Sequence, residues 1–189
     1  MDLNQKIIYG LERLSDAIKT LLWEHAKVYG ISPIQIQILL FVSNHRAALC
    51  KVTHLAQEFN VTKPTVSDAV KVLHQKGYLE KDHSSTDSRS YTLFVTEAGS
   101  ELINQIAGYL QPVENELKQF DEQRLEPLYR SLTDLIYQLN QQGVLQVQRT
   151  CFGCRFYEKQ SDHHYCNFLK TPLKTTDIRL DCPEYEKND

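Results

Sequence analysis

The fold is decided by residues 52–79, which read VTHLAQEFNVTKPTVSDAVKVLHQKGYL. This stretch predicts a short helix over residues 52–59, a turn at 60–62, and a second helix from Lys63 to Lys76 that Thr62 caps. Apolar residues recur every three or four positions of the second helix and form its buried face, and Gly77 follows as the expected C-terminal cap. Two helices joined by so short a turn are typical of a helix-turn-helix.

A hairpin is predicted directly after the second helix. Residues 78–82 and 90–95 have the pattern of strands, the second of them rich in β-branched and aromatic side chains, and a polar loop joins them. The order of helix, short helix, turn, helix and hairpin indicates a winged helix-turn-helix, mainly α with a small β-hairpin wing (α+β). In such a domain the exposed helix fits the major groove of DNA, and the hairpin tip reaches the backbone or the minor groove.

Further helices are predicted on both sides of this part. Residues 3–22 carry one apolar stripe, and residues 34–44 are so apolar that they belong in a core. A long helix from Thr96 to about Phe120 should be kinked or split by Pro112. Another helix is predicted to start at Asp121.

The composition is that of an ordinary globular protein. The chain has 189 residues, of which 41% are hydrophobic and 24% charged, and these values exclude a disordered chain or a collagen. The longest apolar run, Ile38 to Val42, is too short to span a membrane. The first residues carry charge throughout and have no apolar core of a secretory signal, so we expect a cytoplasmic protein. The net charge of -3 excludes a wholly basic nucleic-acid coat protein, but not a local basic face.

These segments together resemble the MarR (multiple antibiotic resistance regulator) family of bacterial transcription factors. The resemblance rests on LAQEFNVTKPTVS at 55–67, LHQKGYL at 73–79, DSRS at 87–90 and TEAG at 96–99, and it spans about residues 1–145. It implies a homodimer in which the N-terminal and C-terminal helices of this region interlock. Two winged domains would then read a palindrome in double-stranded DNA, and a small-molecule effector is a further expected partner.

The candidate DNA contacts lie on the second helix and the hairpin; they are Thr62, Lys63, Pro64, Thr65, Ser67, Asp68, Lys71 and Arg89. Thr65 and Ser67 fit a capping role equally well. Asp68 departs from the family, whose members often carry Arg there, so it either turns aside from phosphates or accepts a hydrogen bond from a cytosine amino group. Between residues 51 and 91 there are six Lys/Arg against five Asp/Glu. This small positive excess predicts a shallow salt dependence of DNA binding.

Four of the five cysteines lie in the last 39 residues, at Cys151, Cys154, Cys166 and Cys182. A C-x-x-C pair with two further thiols suits a tetrahedral Zn²⁺ or an Fe–S cluster, and reversible disulfides are the remaining alternative. The tail lacks the second C-x-x-C of a zinc ribbon, and its widely spaced later cysteines are compatible with a [4Fe–4S] cluster. His163 or His164 is an alternative ligand. Cys50 stands apart, and we expect it to be a small core residue.

We therefore predict four segments: an N-terminal dimerisation helix (1–30), a winged helix-turn-helix (31–96), dimerisation helices (97–148) and a cysteine-rich metal-binding tail (149–189). The favoured function is a DNA-binding transcriptional regulator whose metal site is structural or senses redox or metal state. The alternative is a protein-interaction module of the transcription machinery with a structural zinc tail. An enzyme is not expected, because the sequence has no Gly-rich phosphate loop and no G-x-S-x-G motif.

Overall fold

The computed structural model describes residues 2–84, 91–160 and 163–188. Its contacts divide the chain into two units. The first unit consists of Met1–Ala56 and Val61–Glu116, and the second of Gln57–Asn60 and Leu117–Asp189. Four residues at the end of the first helix of the helix-turn-helix, Gln57–Asn60, thus belong to the second unit.

The first unit contains six helices and one hairpin in its described part. They are α1 (Leu3–Tyr29), α2 (Pro33–Asn44), α3 (Val52–Glu58), α4 (Lys63–Gln75), β1 (Leu79–Asp82), β2 (Thr92–Val95), α5 (Glu97–Ile106) and α6 (Gln111–Leu117), where α3 and α6 end in the second unit. Short 3-10 turns lie at Ala47–Leu49 and Ala107–Leu110. The predicted order of helix, short helix, turn, helix and hairpin is confirmed.

Local signals fix where the first helices begin and end. The Asp2 carboxylate accepts a hydrogen bond from the Gln5 amide (2.8 Å), which caps the start of α1. This helix continues to Tyr29, beyond the predicted end at residue 22, and stops at Gly30, whose φ of 62° favours glycine. At the start of α2, the Gln35 side chain accepts a hydrogen bond from the Ser32 amide (2.8 Å), as in a capping box.

The core of the first unit is built around α2 and α4. Its fully buried side chains are Ile36, Ile38, Leu39, Leu55, Val66, Val70, Leu73, Leu79, Leu93 and Ile106. Helix α5 packs closely against the start of the hairpin at Gly99. A Cβ at this position would lie only 2.2 Å from the Tyr78 carbonyl oxygen, so only glycine fits there without a shift. The Thr96 hydroxyl accepts from the Gly99 amide (3.0 Å) and donates to the Gly77 carbonyl (2.6 Å). These contacts fix the base of the wing against α4.

The helix that follows the wing is split, as Pro112 predicts. Regular α-helix ends at Ile106, a 3-10 turn covers Ala107–Leu110, and α6 starts at Gln111. Proline lacks an N–H and its ring collides with the carbonyl four residues earlier, so an α-helix cannot continue unchanged through Pro112.

The second unit begins with a long helix and ends in a small sheet. Helix α7 covers Glu122–Gln141 and is capped by Asp121, whose carboxylate accepts from the Arg124 amide (3.0 Å). The tail then forms β3 (Tyr157–Lys159), β4 (His164–Cys166) and β5 (Thr171–Leu173), paired antiparallel in that order. Sequence analysis predicted no strands here, because three-residue strands are too short for an alternating pattern to be visible.

Among the described residues, no single helix is both long and apolar enough to cross a bilayer. Helices α1 and α2 reach the required length and hydropathy only when taken together, and a bend of 92° separates them.

Candidate nucleic-acid interface and cysteine cavity

Helix α4 presents a polar face to solvent. Its apolar residues Val66, Ala69, Val70 and Leu73 are buried, and the predicted DNA-contacting residues lie elsewhere on the helix. Exposed among these are Thr62, Lys63, Pro64, Thr65, Asp68 and Lys71, and Ser67 is half-buried. The fold therefore brings seven of the eight predicted contacts together on one helix. Arg89, the eighth, lies outside the described residues.

The two threonines at the start of α4 cap the helix. The Thr62 hydroxyl oxygen accepts from the Thr65 amide (3.3 Å), and the two hydroxyl groups share a hydrogen bond (2.8 Å). The predicted cap at Thr62 is confirmed. Because both side chains stay exposed, each keeps hydrogen-bonding capacity for a ligand while it stabilises the helix.

Side-chain contacts stabilise the described base of the short hairpin. In β1 and β2, Leu79 faces Val95 and Asp82 faces Thr92. The Lys81 ammonium lies over the Tyr91 ring, 4.8 Å from its centre. The Asp82 carboxylate accepts from the side-chain hydroxyl and the amide of Ser84 (both 2.8 Å), and these bonds lower the pKa of Asp82. In the described part of the wing, the Lys81 ammonium is thus held beside an aromatic ring.

The four tail cysteines line one cavity of about 480 Å³ in the second unit. Cys151 and Cys154 are buried, and Cys166 and Cys182 are half-buried. Burial raises the pKa of the Cys151 thiol, and the other three cysteines raise that pKa further, which reflects how close the four groups lie. Sequence analysis predicted these residues as one ligand set, and the fold does bring them together around one space.

Main-chain hydrogen bonds join the segments that carry Cys151, Cys154 and Cys182. The Cys151 amide donates to the Arg179 carbonyl (3.2 Å), and the Cys182 amide donates to the Arg149 carbonyl (3.1 Å), so segment 149–151 runs beside segment 179–182. The Arg155 amide donates to the Glu186 carbonyl (2.8 Å) on the other side of the C-x-x-C loop. Residues far apart in sequence are thus held together by main-chain hydrogen bonds.

The aromatic residues of the tail form a small core beside the cysteines. Phe152 packs edge-on against Tyr157 (5.5 Å between ring centres), and Phe156 packs against Phe168 (5.3 Å). Neither His163 nor His164 lines the cavity, and Nδ1 of His164 shares a hydrogen bond with the Tyr157 hydroxyl (2.6 Å). The cavity therefore offers four sulfurs and no imidazole.

In the ranges 2–84, 91–160 and 163–188, no group of three or more His, Cys, Asp or Glu side chains is placed so that it would hold one metal ion. The prediction of a metal site stays a prediction.

Comparisons with known proteins concern mainly the winged part. Residues 29–90 match the model of the MarR family, which ends before the four tail cysteines. The chain is similar in fold to the solved S. aureus MepR–DNA complex, with a TM-score of 0.60, 21% identity, and coverage of 69% of this chain and 96% of that chain.

Two curated proteins are also similar to this chain. The HTH-type transcriptional regulator BilQ of Clostridioides difficile (strain CD3) is 28% identical over 95 residues, which are 50% of this chain and 63% of BilQ. The HTH-type transcriptional repressor YetL of Bacillus subtilis (strain 168) is 22% identical over 112 residues, which are 59% of this chain and 67% of YetL. The chain thus spans about two thirds of the length of the curated relatives it matches.

Besides the winged helix-turn-helix, the structure reveals a buried arginine that sequence analysis missed. The two terminal nitrogens of Arg149 donate to the two Glu58 carboxylate oxygens (2.7 and 2.9 Å), and Nε donates to Asp181 (2.5 Å). Burial opposes the charge, but the bonds to both carboxylates outweigh it and raise the pKa of Arg149. Glu58, the last residue of α3, belongs to the second unit, so this ion-pair network lies within that unit.

Arg149 therefore joins three segments of the chain: the end of α3, the residues before Cys151 and the residues before Cys182. The available sequence signal was a charged residue two positions before Cys151 and another one position before Cys182. Nothing in the sequence pairs either of them with Glu58, because that pairing depends on the tertiary fold.

Proposed function

We propose that this protein is a homodimeric transcriptional regulator that binds a palindromic operator in double-stranded DNA through α4. The observation that carries this proposal is the exposed polar face of α4, with Lys63, Thr65 and Lys71, in a MarR-type winged helix. The similar proteins named above support it, because two are regulators by name and the third was solved with DNA. The role is that of a binding protein, with no reaction catalysed.

In this proposal α4 enters the major groove and the wing contacts the flanking DNA. Lys63 and Lys71 bind phosphates or guanine edges, and Thr62, Pro64, Thr65 and Ser67 contact the backbone or bases near the start of the helix. Asp68 accepts a hydrogen bond from a cytosine amino group, which selects that base and rejects an adjacent phosphate. Arg89 binds the minor groove or the backbone beside it.

The dimer is supported by an apolar stripe on α1 that is exposed in the single chain. Leu3, Ile7, Leu14 and Ile18 recur on one face of this helix, and Leu3 and Leu14 are 70% and 59% exposed. A contiguous apolar surface of this kind marks an interaction site. A second copy of the chain is the partner that a palindromic site requires, because a two-fold operator matches a two-fold protein.

The tail cysteines are proposed to bind a metal, Zn²⁺ or an Fe–S cluster. The 39 residues from Cys151 onward are too few to fold on their own apolar surface, and a metal would supply the missing stability. A structural zinc would leave a small-molecule effector as the regulating signal. A cluster would make the tail itself the sensor, by coupling between two ligand sites of one molecule.

Selection of binders from random DNA tests the regulator proposal. A palindromic consensus is expected, and the Lys63→Ala and Lys71→Ala variants should bind it at least 10-fold more weakly. Lys19→Ala is the matched control, since Lys19 is exposed on α1 and forms a surface ion pair with Asp16. A protein-interaction module would select no sequence, and would instead form a stable complex with RNA polymerase; that result would refute the proposal.

Measurement of operator affinity with the metal bound, removed and oxidised tests the sensor role. Equal affinities in the three states would reject metal or redox sensing and leave the tail as a structural element.

A further inference from the structure

The cysteine cavity is much larger than a single metal ion needs. Its volume is about 480 Å³, whereas one water occupies about 30 Å³ of the liquid. A structural zinc lies about 2.3 Å from each of four sulfurs, which therefore close tightly around it and leave no cavity between them. Within the described ranges no three candidate ligands are arranged for one ion. The four cysteines all line this one space.

We propose that this cavity is the site of a [4Fe–4S] cluster, with each of the four cysteines binding one iron. The inference rests on the proposed metal-binding role of the tail and identifies the group it holds. A cubane cluster has four irons that each take one thiolate, so four cysteines spread around a cavity match its requirement. Transfer of a preformed cluster moves no electrons: each cysteine sulfur bonds to one iron in place of a ligand from the cluster donor, and that ligand takes up the proton that the thiol releases.

Backbone amides already point at two of the sulfurs. The Arg179 amide donates to Sγ of Cys151 (3.3 Å), and the Leu169 amide donates to Sγ of Cys166 (3.5 Å). Such N–H···S bonds favour the thiolate form that a metal needs, and in iron–sulfur proteins they help to set the reduction potential.

The walls of the cavity are mainly apolar, which suits a cluster. Phe156, Phe168, Leu173 and Ile178 line it together with the cysteines, and Leu173 and Ile178 are buried. Apolar walls limit the access of water, and solvent exposure is one of the factors that set the potential of a cluster. The absence of His163 and His164 from the lining favours four thiolate ligands over a mixed set.

The test uses the full chain, expressed with iron and zinc both present and purified without oxygen. Iron, acid-labile sulfide and zinc are measured per chain, and the visible spectrum is recorded. We expect a brown protein with about four irons and four sulfides per chain. Cys166→Ala and Cys182→Ala should each lose at least half of the iron, whereas Cys50→Ala, a buried cysteine of the first unit, should keep it. Far-UV circular dichroism checks that the helices of each variant remain folded.

The possible results distinguish a failure of the cluster proposal from a failure of the proposed DNA-binding role. One zinc per chain without iron overturns the cluster and leaves both the metal tail and the DNA-binding role in place. Two irons and two sulfides also overturn it, because a smaller cluster is then the group bound. Unchanged iron in both cysteine variants overturns the assignment of the ligands. A cluster-loaded chain that selects no DNA sequence supports the inference but refutes the proposed regulator.

Discussion

The buried Arg149 is expected to be a main source of stability in the second unit. The Arg149→Ala substitution removes three hydrogen bonds, two to Glu58 and one to Asp181. The arginine side chain is 7% exposed and that of Glu58 is 17% exposed, so little water is available to replace these bonds. The Asp181 side chain is 49% exposed, so water partly replaces the hydrogen bond that it loses in the variant.

The expected loss of stability follows from these exposed fractions. Removal of one partner of a buried ion pair costs about 3–5 kcal/mol. Since one of the two acceptors is half exposed, we expect the lower end, about 3 kcal/mol. Arg155→Ala provides a matched control, because Arg155 also flanks the C-x-x-C motif and also pairs with a carboxylate, that of Glu186 (2.9 Å), but is 58% exposed. An exposed pair contributes about 0–1 kcal/mol.

The difference between the two variants should therefore be about 2 kcal/mol, or roughly 30-fold in the unfolding equilibrium. Urea unfolding of the full chain, followed by circular dichroism, gives the total stability. Hydrogen–deuterium exchange of peptides covering residues 149–182 then locates the loss in the second unit. If Arg149→Ala and Arg155→Ala exchange equally fast in these peptides, the ion-pair network does not hold the tail together.

Three further predictions concern the first unit. Gly99→Ala should destabilise the protein by about 2–3 kcal/mol, because its Cβ would lie 2.2 Å from the Tyr78 carbonyl oxygen; Gly108→Ala, with no atom within 4 Å, should melt like the unchanged protein. Lys71→Ala should reduce the slope of log affinity against log salt by about 1, and an unchanged slope would mean that this lysine binds no phosphate. Burial raises the pKa of Cys50 from 9.0 to about 11, so its thiolate fraction at pH 8 falls about 100-fold; mass spectrometry after iodoacetamide should find it alkylated only in the unfolded chain.

The winged part could be predicted from the sequence because its signals are local. Thr62 caps α4, Gly77 has the positive φ of a helix end, and Pro112 marks the break after α5. Each of these acts through residues within one helical turn, where steric and hydrogen-bonding rules are nearly independent of the rest of the fold. The end of α1 was misplaced, since the chain beyond residue 22 keeps good helix formers and only Gly30 stops it.

For the tail, only the set of candidate ligands could be predicted from the sequence. The spacing of the cysteines indicated a common ligand set, and the fold places all four on one cavity. The strands β3 to β5 and the Arg149 network were not predictable, because both depend on pairings between residues far apart in the chain. The distance between Glu58 and Arg149 in sequence is 91 residues, and no local pattern encodes such a contact.

The low positive charge of the winged part bears on how binding would be regulated. With six Lys/Arg against five Asp/Glu between residues 51 and 91, few phosphates are neutralised per chain, so one winged domain alone should bind DNA weakly. In the proposed homodimer, useful affinity requires both domains to bind at once. A change that weakens each domain's contact by about 1 kcal/mol then weakens the dimer by about 2 kcal/mol, or roughly 30-fold. A modest signal from an effector or from the cysteine tail is therefore enough to release the operator.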